Sequence, residues 1–122
     1  KETIQELALS PLITIENHTN THANATQCNE HEFLEEVKLA SESISQWTGR
    51  LPQMLCYPFG KWNPDVDRLL ASSQLKSSVT SDAFWLNVEQ QESPWRIPRI
   101  LIADNRLLAE GTCRIMRCFR PF

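Results

Sequence analysis

The stretch from Asn29 to Gly49 has both of its ends written into the chain. Asn29, with Glu32 three residues later, fits a capping box, in which two side chains satisfy backbone N–H groups that a helix start leaves unpaired. Phe33, Leu34, Val37, Ala40, Ile44 and Trp47 then fall on one face at helical spacing. Gly49 can turn left-handed at no steric cost and so stops the helix. A short apolar run lies on either side, "LITIE" at 12–16 and "QMLCY" at 53–57, and both read as strands. A strand, a long amphipathic helix and a second strand most simply form a parallel pair joined by a crossover helix.

The same alternation continues in both directions. Residues 2–9 place Ile4, Leu7 and Ala8 at helical spacing, and Ser10-Pro11 ends that helix. After the second strand, "PFGKWNP" is turn chemistry. Asn63-Pro64-Asp65 then opens another helix, with a cap, a proline at the first position and an acid in the first turn. Val66, Leu69 and Leu70 give it an apolar stripe. "SSVTS" at 77–81 is a third strand candidate and "RILIA" at 99–103 a fourth, joined by a long aromatic connection over 82–98. The expectation is an α/β fold with mostly parallel strands, in which chemistry sits on loops at the carboxyl ends of the strands.

At 122 residues the chain is one domain at most, and 41% apolar content can build a core. Its net charge is −3 with signs mixed along the chain, so nothing supports nucleic-acid binding. No apolar run approaches the roughly 18 residues of a membrane span. Lys1-Glu2 opens the chain with neither an initiator Met nor an apolar signal region, which is expected of a processed product or fragment. Cys28, Cys56, Cys113 and Cys118 form no C-x-x-C pair and read first as free or buried thiols.

The polar segment after the first strand candidate, "IENHTNTHANAT", holds His18 and His22. Two imidazoles four residues apart can chelate one cation if the backbone turns between them, and Thr-Asn-Thr favours such a turn. A catalytic zinc site needs three protein ligands and an open position. The plainer alternative is a pair of exposed loop histidines. His31, in the first turn of the 29–47 helix, reads as exposed and silent.

Several segments taken together resemble the polysaccharide deacetylases of carbohydrate esterase family 4. His18-Thr19-Asn20-Thr21-His22 matches that family's H-[ST]-x-x-H metal segment, Thr48-Gly49-Arg50-Leu51-Pro52 its T-G-x-x-P helix end, and Pro58-Phe59-Gly60 its P-[YF]-G turn. "IPRILI" at 97–102 looks like an arginine-bearing strand of one subgroup. The resemblance covers about residues 2–104.

It implies a metal-dependent hydrolase that removes N-acetyl groups from a polysaccharide or oligosaccharide. The implied cofactor is zinc or another divalent metal, held by His18, His22 and one Asp, and the implied oxyanion donor is the backbone N–H of Phe59. Tyr57 and Trp85 are candidate substrate contacts, with packing at the strand end as the alternative for Tyr57 and Phe59, and core or loop packing as the alternative for Trp85. Trp62 and Trp95 are weighed between sugar stacking and packing. The implied fold is part of a deformed (β/α) barrel. The family's Asp-Asp pair, one acid a base and the other a ligand, has no counterpart here, since the first Asp is Asp65. Cys56 stands where the family often carries an Arg, and the Leu-x-His motif is absent.

The chain is therefore expected to be a single partial deacetylase domain, its C-terminal portion, lacking early strands and inactive alone. Dimerisation or a missing N-terminal segment would cover its open edge, and the parent protein is expected to be exported. The alternatives are a non-catalytic carbohydrate-binding or structural remnant, and a structural zinc module using His18, His22 and a cysteine.

Overall fold

The computed structural model describes residues 2–82 and 94–99. Five regular elements follow in the order α1 (Glu2–Leu9), α2 (Glu30–Thr48), β1 (Met54–Cys56), α3 (Pro64–Ala71) and β2 (Ser77–Val79), with a 3₁₀ turn at Pro58–Gly60 between β1 and α3. β1 and β2 are parallel, in the register Met54 to Ser77, Leu55 to Ser78 and Cys56 to Val79. Single parallel bridges extend the pairing, Asn17 to Leu55 on one side and Val79 to Ile97 on the other. Four chain segments thus lie side by side in sequence order, which is how successive β–α units stack.

α2 starts and stops where its sequence demands. The Asn29 side chain accepts from the Glu32 N–H at 2.9 Å, and the Glu32 carboxylate accepts from the Asn29 N–H at 3.0 Å. Gly49 closes the helix at φ 71°, its N–H donating to the Ser45 carbonyl. Phe33, Val37, Ala40 and Ile44 are buried along one face, with Leu34 and Trp47 half-buried at its margins. α3 is set the same way, since the Asn63 side chain accepts from the Val66 N–H at 2.9 Å and Pro64 takes the first helical position. Both helices cover one face of the sheet. Phe33 and Val37 from α2 and Val66 and Leu70 from α3 pack with Leu55, Tyr57, Leu75 and Ala25. Alternation then places Met54 and Cys56 on the opposite, half-buried face.

The strand expected at 12–16 is not a regular strand. Only Asn17 joins the ladder, donating to the Met54 carbonyl at 3.0 Å and accepting from the Cys56 N–H at 2.8 Å. The reason lies in the residue before it. Glu16 turns its carboxylate onto the N–H groups of Gln53 and Met54, at 2.8 and 2.9 Å, and so fills the place that backbone pairing would take. No strand covers the other edge of 12–16 among the described residues, and Leu12 is 92% exposed. The other strands are shorter than their apolar runs, β1 occupying 54–56 of 53–57 and β2 77–79 of 77–81. The pairing at that edge is made by Ile97, in the connection before the fourth candidate, while Arg99 is not in a strand and residues 100–103 lie outside the described residues. No helix among the described residues is long and apolar enough to cross a membrane.

Candidate metal centre

Asn17 is the hinge between sheet and loop. Its backbone belongs to the sheet, and its side chain is fully buried against α2. There Nδ2 donates to the Val37 carbonyl at 2.8 Å and to Ser41 Oγ at 2.9 Å, while Oδ1 accepts from the Thr19 N–H at 2.8 Å. The chain leaves the sheet at the carboxyl end of Asn17 already bent. Two residues of the following loop are left-handed without being glycine, Thr19 and His22, both at φ 61°. Such conformations cost on the order of 1 kcal/mol or more each and persist only where the surroundings impose them.

The bend brings the histidine rings together. His18 and His22 lie edge to face with centroids 4.8 Å apart. His18 Nδ1 sits 2.7 Å from the Cys56 carbonyl oxygen, the last residue of β1. A carbonyl only accepts, so Nδ1 carries the proton and neutral His18 keeps its Nε2 lone pair free. A backbone carbonyl behind one ring nitrogen is the usual arrangement for orienting a metal-binding imidazole. The donor set therefore suits a borderline cation such as zinc in kind, although among the described residues no third His, Cys, Asp or Glu completes a metal-binding group.

The third wall is the Pro58–Gly60 turn. Phe59 lies edge to face on His22 with centroids 4.5 Å apart, and the residue is 64% exposed. Phe59 is also left-handed, at φ 59°. The hydrogen bonds of the turn run from Gly60 to the Tyr57 carbonyl and from Lys61 to the Pro58 carbonyl, so the Phe59 N–H takes no part in them. Both motifs thus stand at the carboxyl ends of their segments and touch. Three of the four left-handed non-glycine residues described, Thr19, His22 and Phe59, belong to this one place.

Tyr57 supports the turn from below. It is 1% exposed, and its hydroxyl donates to Asp67 Oδ1 at 3.1 Å. Burial pushes the phenol well above its ordinary pKa, more than the hydrogen bond with Ser78 lowers it, and the negative charge of Asp67 adds to the rise. Asp67 is itself raised by burial, against the Tyr57 hydrogen bond and the Arg96 charge. Arg96 Nε lies 2.8 Å from Asp67 Oδ2 but is not aligned as a hydrogen bond. Its guanidinium also covers the Trp62 ring at 4.6 Å, and Trp62 donates to Asp82 Oδ2 at 3.0 Å. Tyr57 and Trp62 are accordingly packed inside a polar network, Trp95 packs against the core, and Trp85 lies outside the described residues.

Two further contributors come from distant parts of the chain: Arg99 had a signal in the "IPRI" resemblance, while Glu36 had none. Arg99, in the "IPRI" segment, reaches Cys56 Sγ at 3.0 Å through Nη2 and the Thr80 carbonyl at 2.9 Å through Nε. Glu36, on the outer part of α2, binds Thr21 between the two histidines. Each acts on a partner 15 or more residues away, beyond any local spacing rule. His31 is exposed, and Cys28 and Cys56 are free thiols.

The polysaccharide deacetylase family matches residues 1–78 of the chain. Among solved structures the chain is similar to BC0361, a polysaccharide deacetylase from Bacillus cereus, with a TM-score of 0.76 and 22% identity over 93% of this chain and 35% of that one. It is equally similar to BA0330 from Bacillus anthracis, provisionally named for the same activity, with a TM-score of 0.76 and 22% identity over 93% and 35%. At that identity the likeness is one of fold. The chain spans about a third of the length of these two structures, 35% of each. No functionally curated protein matches it.

Proposed function

Because the chain belongs to the polysaccharide deacetylase family, we propose that it carries the two-histidine and P-F-G portion of a metal-dependent glycan N-deacetylase and is inactive by itself. The observation that carries this reading is the meeting of His18, His22 and Phe59 at the carboxyl ends of adjacent parallel segments. His18 and His22 would hold a divalent cation, zinc being the one that suits imidazole best among common hydrolytic metals. When bound, such a cation supplies Lewis acidity and a more acidic water for amide hydrolysis.

The residues of this chain then divide the remaining work. The Cys56 carbonyl fixes the His18 tautomer and ring direction. The Phe59 N–H, free of the turn's own bonds, is the donor offered to negative charge developing on an acetamide oxygen. A preset left-handed backbone at Phe59 means no reorganisation is needed at the moment of reaction. The exposed Phe59 ring gives an N-acetylated sugar an apolar surface beside the pair. Tyr57, buried and bound to Asp67, holds the turn in place rather than meeting the glycan.

The third ligand and the base would come from a carboxylate-bearing segment outside these 122 residues, in a longer, barrel-like domain. Zinc titration tests the reading directly. The chain should bind zinc weakly, and either His18→Ala or His22→Ala should abolish binding while His31→Ala leaves it unchanged. Binding lost only with His31 or with Cys28→Ala or Cys56→Ala would instead favour a structural zinc module.

A further inference from the structure

We propose that Glu36 is a positioning residue for the histidine pair: its carboxylate clamps Thr21 and so sets the separation of His18 and His22. The inference rests on the reading of those two residues as metal ligands. Glu36 Oε2 accepts from the Thr21 N–H at 2.7 Å, and Oε1 accepts from Thr21 Oγ1 at 3.1 Å. Both oxygens of one carboxylate are thus spent on one residue, through charge-assisted bonds that are stronger than neutral ones.

Thr21 is where such a clamp acts most directly. It precedes His22, whose φ of 61° is one of the two unfavourable turns that fold the pair together. The other bonds over residues 19–23 stay within the loop or return to Asn17 at its base. The Thr19 N–H donates to Asn17 Oδ1, and the Ala23 N–H donates to Thr19 Oγ1. Among the described residues, the Glu36 bonds are the only direct hydrogen bonds between residues 19–23 and a helix, the Thr19 bond to Asn17 being the link to the sheet.

Among the described residues Glu36 makes no other hydrogen bond or ion pair. Burial pushes the nearby Cys28 thiol up, and the Glu36 charge only adds to that rise. The ion pairs of α2 are made by Lys38 with Glu35 and Glu42, at 3.6 and 4.0 Å. Nor does Glu36 enter a three-ligand group with the histidines. It therefore acts on the pair through Thr21 and not as a ligand. Its place on α2 matters as well. The cap at Asn29 and the core contacts of Phe33 and Val37 fix that helix, so the loop inherits its position from the best-defined element of the fold.

The test is zinc titration of the full 122-residue chain, followed by heat and by the ring resonances of His18 and His22. Glu36→Ala should weaken zinc binding about tenfold or more, the range seen when groups that orient metal ligands are removed. It should also shift the metal-free His22 resonances while leaving helix content by circular dichroism unchanged. Glu36→Gln can still accept the Thr21 N–H and should recover most of the loss. Glu36→Asp keeps the charge but loses the reach, so it should bind as weakly as the alanine variant, and it serves if that variant does not fold.

Parent-like affinity in Glu36→Ala or Glu36→Asp would overturn the proposal, with the metal reading intact. So would a glutamine variant as weak as alanine, because charge and not position would then be the cause. A parent chain that binds no zinc, or that binds it without His18 and His22, would overturn the metal reading and the proposal with it.

Discussion

Gly49 and Gly60 share a left-handed backbone, at φ 71° and 66°, but differ in what surrounds them. A Cβ on Gly49 would meet nothing within 4 Å, whereas on Gly60 it would lie 2.7 Å from Ser81 Cβ and 2.9 Å from the Ser81 backbone nitrogen. Gly49→Ala should therefore cost only the backbone term of about 1 kcal/mol. Gly60→Ala should cost about 1–3 kcal/mol more, because close-packed backbone must move. Chemical denaturation of the two variants checks the difference, and equal losses would contradict it.

Asp67 makes a pH prediction at the same scale. Its carboxyl is raised above the ordinary value of 3.8, with burial as the largest cause. The folded chain thus holds that proton more tightly than the unfolded chain does. Its contribution is most favourable below the unfolded value and is lost as pH rises through the higher folded value. Asp67→Asn should remove this downward slope just above about pH 4. Melting temperatures of parent and variant across that window measure it, and parallel profiles would rule the effect out.

At the scale of elements, α2 carries the most readable energetics. Asn29→Ala removes one half of a capping box and should cost about 1 kcal/mol. Asn17→Ala should cost more, roughly 2–3 kcal/mol, since it leaves buried partners on α2 without their bonds. Urea unfolding ranks the two, and a larger loss for Asn29→Ala would show that the buried link matters less than the cap. The helices were legible in the chain because caps, stops and apolar faces are local. The first strand was not, because Glu16 competes with the ladder through a carboxylate that no strand pattern reveals. The P-F-G turn was legible as a turn, but its left-handed phenylalanine was not.

For the molecule as a whole, the proposed function makes activity depend on carboxylates beyond His18 and His22. The chain has no adjacent Asp-Asp pair, and its described residues add no third acid, cysteine or histidine to His18 and His22. Acetate release from an N-acetylglucosamine oligomer should accordingly be absent, since losing a positioned base alone typically costs about 10²–10⁴-fold. Release at an ordinary enzymatic rate would require a base within these 122 residues. Extending the chain with a segment that supplies the Asp pair should tighten zinc binding and restore activity together.

The helices, the parallel alternation and the family could be read along the chain, because each is encoded by neighbours or by short motifs such as "HTNTH" and "PFG". It took the packed fold to lean His18 on the Cys56 carbonyl, to bring His22 against Phe59, and to seal Tyr57 away while Phe59 stays open. That fold alone brought Glu36 to Thr21 and Arg99 to Cys56. Periodicity and capping act over one or two turns of chain, whereas these contacts span 15 to 43 residues and exist only once parallel segments have been set side by side.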